Sequence, residues 1–158
     1  LFSINASMMA TFLAWGALNP RLARKGIGAN RLIACGLPLS LAMLATIIVA
    51  GRSAGAGSWA LFCVSCSFVA LAQPAVGMAF PAALAGRALS AFNLVIFSGV
   101  FVVQWGIGLL IDGFAAAGLD TVDSFRAAMS VFLACTVAGY AYFMLANRDN
   151  LGTAAAPP

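Results

Sequence analysis

From Trp59 to Leu84, and again from Ala91 to Ile111, the chain runs without a single charged residue. A helix crossing the hydrocarbon of a bilayer needs about 20 apolar residues. Nothing there solvates a charge, and every backbone N–H and C=O must find its partner inside the segment. Three further runs share this character: Leu1–Leu18, Leu32–Ala50 and Ala127–Leu145. Five spans with short connections use nearly all of the 158 residues and leave no room for a soluble domain. Composition agrees, with 63% hydrophobic and 8% charged residues and a mean hydropathy of +1.03. A soluble domain carries roughly 25% charged residues. Strands of a membrane barrel alternate apolar and polar residues, whereas these runs are continuous. The expected fold is therefore all-α, a polytopic transmembrane bundle of about five spans within residues 1–150. The partner that this implies is the lipid bilayer. The small-residue tail, 151–158, is expected to be disordered.

The connections carry the punctuation. Asn19–Pro20 reads as a turn, followed by a basic loop with Arg21, Arg24, Lys25 and Arg31 around Gly26 and Gly28. Pro38 is expected to kink the second run. A Gly/Ser/Ala loop from Gly51–Arg52 to Ser58 precedes Trp59, an aromatic suited to headgroup level. Gln73–Pro74 and Pro81 interrupt the third run, and Gly86–Arg87 is expected to end it. Ser90 is placed to cap the fourth run, and Asp112–Gly113 to close it. A loop with Asp120 and Asp123 follows. Asn147, Arg148 and Asp149 stop the fifth run. With five spans, the segments holding Arg21, Arg24, Lys25 and Arg31, then Arg87, then Arg148 share one side. Basic residues concentrate on the cytoplasmic side of membrane proteins, so that side and the C-terminus are expected in the cytoplasm. The chain opens inside an apolar run with no basic stretch before it, which reads as a fragment beginning within a helix.

Chemistry-bearing residues are few. The chain has no His and no Glu, and its four acids (Asp112, Asp120, Asp123, Asp149) fall at span ends or in loops. No paired carboxylates, metal-ligand cluster or phosphate loop is present, and Ser or Cys without a base is no nucleophile. The chain is read as not an enzyme, with no cofactor, no metal and no nucleic acid partner. Cys63 and Cys66 form C-x-x-C inside an apolar run, where cysteine behaves as a small hydrophobe. Asp112 reads either as a solvated helix end or as an ion-pair partner of Arg126. The amides inside the runs are more informative, because an unpaired amide in hydrocarbon is costly. They are Asn5, Gln73, Asn93 and Gln104. Each is either interhelical glue or lining for a solute cavity. Gln104 leads, since Asn93, Phe97, Val100, Gln104 and Gly108 lie near one helical stripe. Pro74 and Pro81 leave the Ala70 and Gly77 carbonyls without helical donors.

The stretch Gly16-Ala17-Leu18-Asn19-Pro20-Arg21-Leu22-Ala23-Arg24-Lys25 resembles the basic loop motif of the major facilitator superfamily, roughly G-x-L-x-D-R-x-G-R-K. Pro20 stands at its acidic position and Ala23 at its second glycine. The stretches Phe80–Leu94 and Gln104–Gly108 resemble the tenth and eleventh helices of bacterial members. If the loop joins helices eight and nine, the chain covers about helices 8–12. The resemblance implies a secondary transporter of the bacterial inner membrane, moving a small solute between two halves by alternating access. It also implies that the N-terminal half of the same protein is a partner. Gly16, Arg21, Arg24, Lys25 and Arg87 become candidates for a cytoplasmic gate. The alternatives are a non-transporting subunit of a membrane complex and a membrane-embedded enzyme.

Overall fold

A computed structural model describes residues 2–25 and 27–146. Leu1, Gly26, the expected stop at Asn147–Arg148–Asp149 and the tail 151–158 lie outside them. The fold is all-α, with no strand among the described residues. Six helices run in order: α1 Phe2–Arg24, α2 Ala29–Ala50, α3 Ala56–Cys66, α4 Ala72–Ala79, α5 Ala82–Ala116 and α6 Thr121–Ala146. A 3-10 segment, Ser67–Leu71, joins α3 to α4. These three pieces form one rod, so the bundle has five rods. Four are long and apolar enough to cross a membrane: Ala29–Ser53, Ala56–Ala79, Ala82–Ala116 and Thr121–Ala146. The chain is a membrane protein by this architecture. The remaining rod, α1, is diluted by Asn5, Asn19 and several hydroxyl residues and ends on Arg21 and Arg24.

Successive rods alternate in direction. α2 and α6 are antiparallel and are tied at two levels. Arg126 Nε donates to the Ile48 carbonyl at 2.8 Å, and Tyr140 Oη donates to the Ala34 carbonyl at 2.9 Å. The two anchors are separated by about four turns on each helix. The 51–55 and 117–120 connections therefore meet at one end, where Arg52 and Asp120 approach to 3.5 Å. The α5–α6 turn is built on Gly118, whose φ of +96° suits a residue without Cβ, and Leu119 N–H closes back on the Phe114 carbonyl. Asp120 then caps α6 through the Asp123 N–H at 2.7 Å. Buried side chains concentrate between α2, the broken rod and α6: Ala34, Leu44, Ile47, Phe68, Leu71, Ala128 and Met129.

Several expected boundaries move. Asn19–Pro20 is no turn: α1 continues through Pro20 to Arg24, so Arg21 and Arg24 occupy its last turn, where cations complement the helix dipole. Arg31 lies in the first turn of α2, and Pro38 sits within that helix. Pro81 does not kink a continuous third span. Phe80 is extended at φ −120°, ψ 151°, as a residue before proline prefers, and α5 starts at Ala82. Gly86–Arg87 is therefore no loop, and Ser90 caps nothing: it lies inside α5 and donates to the Gly86 carbonyl. Arg126 pairs with Asp123 at 3.3 Å rather than with Asp112. α5 is 35 residues long, or about 52 Å at 1.5 Å per residue. That exceeds the roughly 30 Å hydrocarbon core. Its charges, Arg87 and Asp112, bracket the uncharged segment 88–111, which holds the expected span 91–111.

Charge divides by end. Arg21, Arg24, Lys25, Arg31 and Arg87 lie toward the end of the 25–28 and 80–81 connections. All acids among the described residues, Asp112, Asp120 and Asp123, lie toward the other, beside Arg52 and Arg126.

Candidate functional site at the break in the third rod

The rod made by α3 and α4 changes its winding halfway along. The reason is local. Pro74 has no N–H to give the Ala70 carbonyl in an α-helix. In 3-10 winding a carbonyl pairs three residues on, so the bond that Pro74 cannot make is not required. The serines on either side add hydroxyls that back-bond at i−3. Ser65 Oγ donates to Phe62 O and Ser67 Oγ to Val64 O, both at 2.7 Å.

Two other rods close on this break. Ser40 of α2 donates to the Ser65 carbonyl at 2.7 Å, where the α-helix gives way. Trp15 Nε1 of α1 donates to Ser67 Oγ at 2.9 Å. Phe68 is buried against Gly36, and Leu71 is buried beside it in the same segment. Ser40, Ser65 and Ser67 are buried, and no buried side-chain polar atom among the described residues lacks a partner. The break is thus a satisfied polar cluster inside an apolar bundle.

The cluster faces open space. A cleft of about 490 Å³ lies between α1, α2 and α3, with Thr11, Trp15, Cys35, Leu39, Ser65 and Ser67 among its lining. A smaller one of about 140 Å³ lies across Trp15, where Gly16, Asn19 and Pro74 meet. Trp15 forms a wall of both. The walls offer an indole, hydroxyls, a thiol and an amide to a small solute, and no charge. No group of three or more His, Cys, Asp or Glu among the described residues is placed to hold a metal ion. All four cysteines are free thiols, Cys63 and Cys66 included.

The residues singled out from sequence are scattered. Asn5 is exposed on α1, Gln73 exposed on α4, Asn93 half-buried and Gln104 exposed on α5. They form no common site and line neither cleft. No side chain of α5 is buried, and Phe97 and Trp105 are 70% and 61% exposed. The Gln104 stripe therefore faces away from this bundle. Of the gate residues, only Gly16 borders a cleft at the break. Arg21, Arg24 and Lys25 are exposed and frame a separate hollow of about 360 Å³ at the basic end. Arg87 is exposed near the start of α5. Sequence reasoning missed Trp15, Ser40, Ser65 and Ser67. The available signal was Ser65-Cys66-Ser67 about two turns before Gln73–Pro74: hydroxyls that bond back to the helix upstream of a proline.

Comparison with models of known protein families, with curated proteins and with solved structures returned no match.

Proposed function

We propose that this chain is the later part of a secondary transporter of the major facilitator type, with the break in the third rod bordering the solute path. The observation that carries this reading is the interrupted rod, with a polar cluster and an open cleft on its flank. Membrane transporters build solute sites at interrupted helices, because irregular backbone at membrane depth is tolerated where it lines a cavity. The uncharged lining suits a small neutral or zwitterionic solute held by hydrogen bonds and by the Trp15 indole. Two further features support the family: the alternating rods and the run Gly16–Lys25 at the basic end. In this reading the basic end is cytoplasmic in a bacterial inner membrane, by the positive-inside rule. The outward-facing α5, with Gln104 unpartnered among the described residues, meets the other half of the protein. No catalytic residue and no cofactor enters.

Uptake by cells expressing the complete reading frame, across labelled sugars, amino acids and polyols, tests it. Saturable uptake of one class, with the apparent transport constant raised severalfold by Trp15→Phe or Ser67→Ala, is expected. Normal kinetics in both variants would remove the break from the solute path. No uptake by well-folded, correctly inserted protein would favour a non-transporting subunit instead.

A further inference from the structure

A further pocket, of about 340 Å³, lies at the end opposite the basic cluster, between α2, the start of α3 and α6. Its apolar wall is Ile47, Ile48, Trp59, Val122 and Phe125, with Trp59 and Phe125 edge to face at 6.3 Å. Arg52 and Arg126 also line it, whereas Asp120 and Asp123 do not. Along α6 the order of depth is Phe125 and Arg126, then Asp123, with Asp120 outermost in the connection. On α6 the Arg126 guanidinium thus lies inward of both carboxylates, while Arg52, in the 51–53 turn, stands level with Asp120. A phospholipid with a phosphate and a terminal ammonium carries the complementary order: acyl chain, anion, cation. The two Arg and two Asp are together neutral, which fits a zwitterion better than a net anion.

The guanidiniums have donors to spare. Arg carries five N–H donors. Among the described residues Arg52 gives one hydrogen bond, to Asp120, and Arg126 gives two, to Ile48 and Asp123. The Arg–Asp approaches are loose, at 3.5 and 3.3 Å, between largely exposed groups. Pairs of this kind contribute little by themselves and are readily shared with a third charged group.

We propose that this pocket is a binding site for a zwitterionic, primary-ammonium phospholipid of the phosphatidylethanolamine type. Its phosphate rests on Arg52 and Arg126, its ammonium on Asp120 and Asp123, and the upper part of one acyl chain lies against Trp59 and Phe125. The site is independent of the solute path. It does not require the transport reading.

The test uses purified protein exchanged into equal mole fractions of phosphatidylethanolamine, phosphatidylcholine and phosphatidylglycerol, with retained lipid measured by native mass spectrometry. At least fivefold preference for phosphatidylethanolamine over both others is expected. Asp120→Asn with Asp123→Asn should bring the three within twofold of one another, and Asn keeps the α6 cap. Arg52→Gln should reduce phosphatidylethanolamine retention severalfold. Ala54→Trp, which fills the pocket and leaves every charge in place, should reduce all three. Arg21→Gln with Arg24→Gln, at the other end, should leave phosphatidylethanolamine retention unchanged and can lower only that of phosphatidylglycerol, drawn there by the basic cluster. Equal or greater retention of phosphatidylglycerol by the Arg21→Gln, Arg24→Gln protein, in which the basic end is weakened, would overturn the proposal. So would a preference surviving both the Asp and the Arg changes. Free O-phosphoethanolamine competing as well as the lipid would also overturn it, because the apolar wall would then be idle.

Discussion

A Cβ built on Gly36 would lie 2.5 Å from Cδ1 of the Phe68 ring. Real Cβ atoms do not approach that closely, and Phe68 is only 4% exposed, so its ring has little room to retreat. The 3-10 segment and α2 are held together by this fit. Gly36→Ala is expected to lower stability by about 1–3 kcal/mol, the usual range for overpacking. In a Phe68→Leu background the same change should cost much less, because neighbouring sites couple. Melting of the four proteins of this cycle in detergent checks it. Simple additivity would show that the contact does not constrain the fold.

Gly51 is restricted twice. Its φ of 51° and ψ of −116° lie in a region that glycine favours, and a Cβ there would stand 3.3 Å from Cδ of Arg126. Gly51→Ala should lose about 1–3 kcal/mol. Gly51→Asn should lose as much, because asparagine's tolerance of positive φ belongs to the left-handed helical region, where ψ is positive. Rescue by Asn in the same melting assay would contradict this.

Arg126 closes the end of α2 through the Ile48 carbonyl and only secondarily pairs with Asp123. Arg126→Lys keeps the charge but loses the planar Nε–H, and should cost about 1–2 kcal/mol. Asp123→Asn should stay within about 0.5 kcal/mol, because this exposed pair is screened by solvent. Equal losses in thermal unfolding would mean that the ion pair is the stabilising contact.

How much of this was written in the sequence depends on what each residue answers to. Charge-free runs gave the all-α class and placed Leu32–Ala50 close to α2, because hydrocarbon admits only helices and closed barrels and the runs do not alternate as barrel strands do. Asn19–Pro20 and Gly86–Arg87 misled, since both are soluble-protein stop signals. In a membrane helix the missing proline donor is tolerated, and an arginine on α5 marks the edge of the hydrocarbon rather than the end of the helix. The candidate site was less legible. Gln104 stood out by its polarity and its stripe with Asn93 and Gly108, yet it faces outward. Trp15, Ser40 and Ser67 looked ordinary and meet only because three rods pack there. Single positions in a sequence carry no such distance information.

Gln104 gives a prediction that follows from its outward position. It is exposed, and no partner for its amide exists among the described residues. Gln104→Leu should leave the melting temperature of the 158-residue chain unchanged or slightly raised. In the complete protein of the proposed type, the same change should reduce stability or uptake, because the amide then has a partner. A clear stability loss in the short chain would place Gln104 in a contact within this bundle.

The cleft beside the broken rod is either a watery path or a lipid-filled crease, and two native thiols distinguish these. Cys35 lines the cleft and Cys135 lies on the outer surface of α6, and both are exposed. Maleimides react with the thiolate, which forms only where water reaches. The measurement is labelling by a membrane-impermeant maleimide of two single-cysteine proteins in sealed vesicles, with the reagent on one side at a time. Cys35 should react from the side of the basic end and Cys135 from neither. A Cys35 as silent as Cys135 from both sides would contradict a solute path at the break.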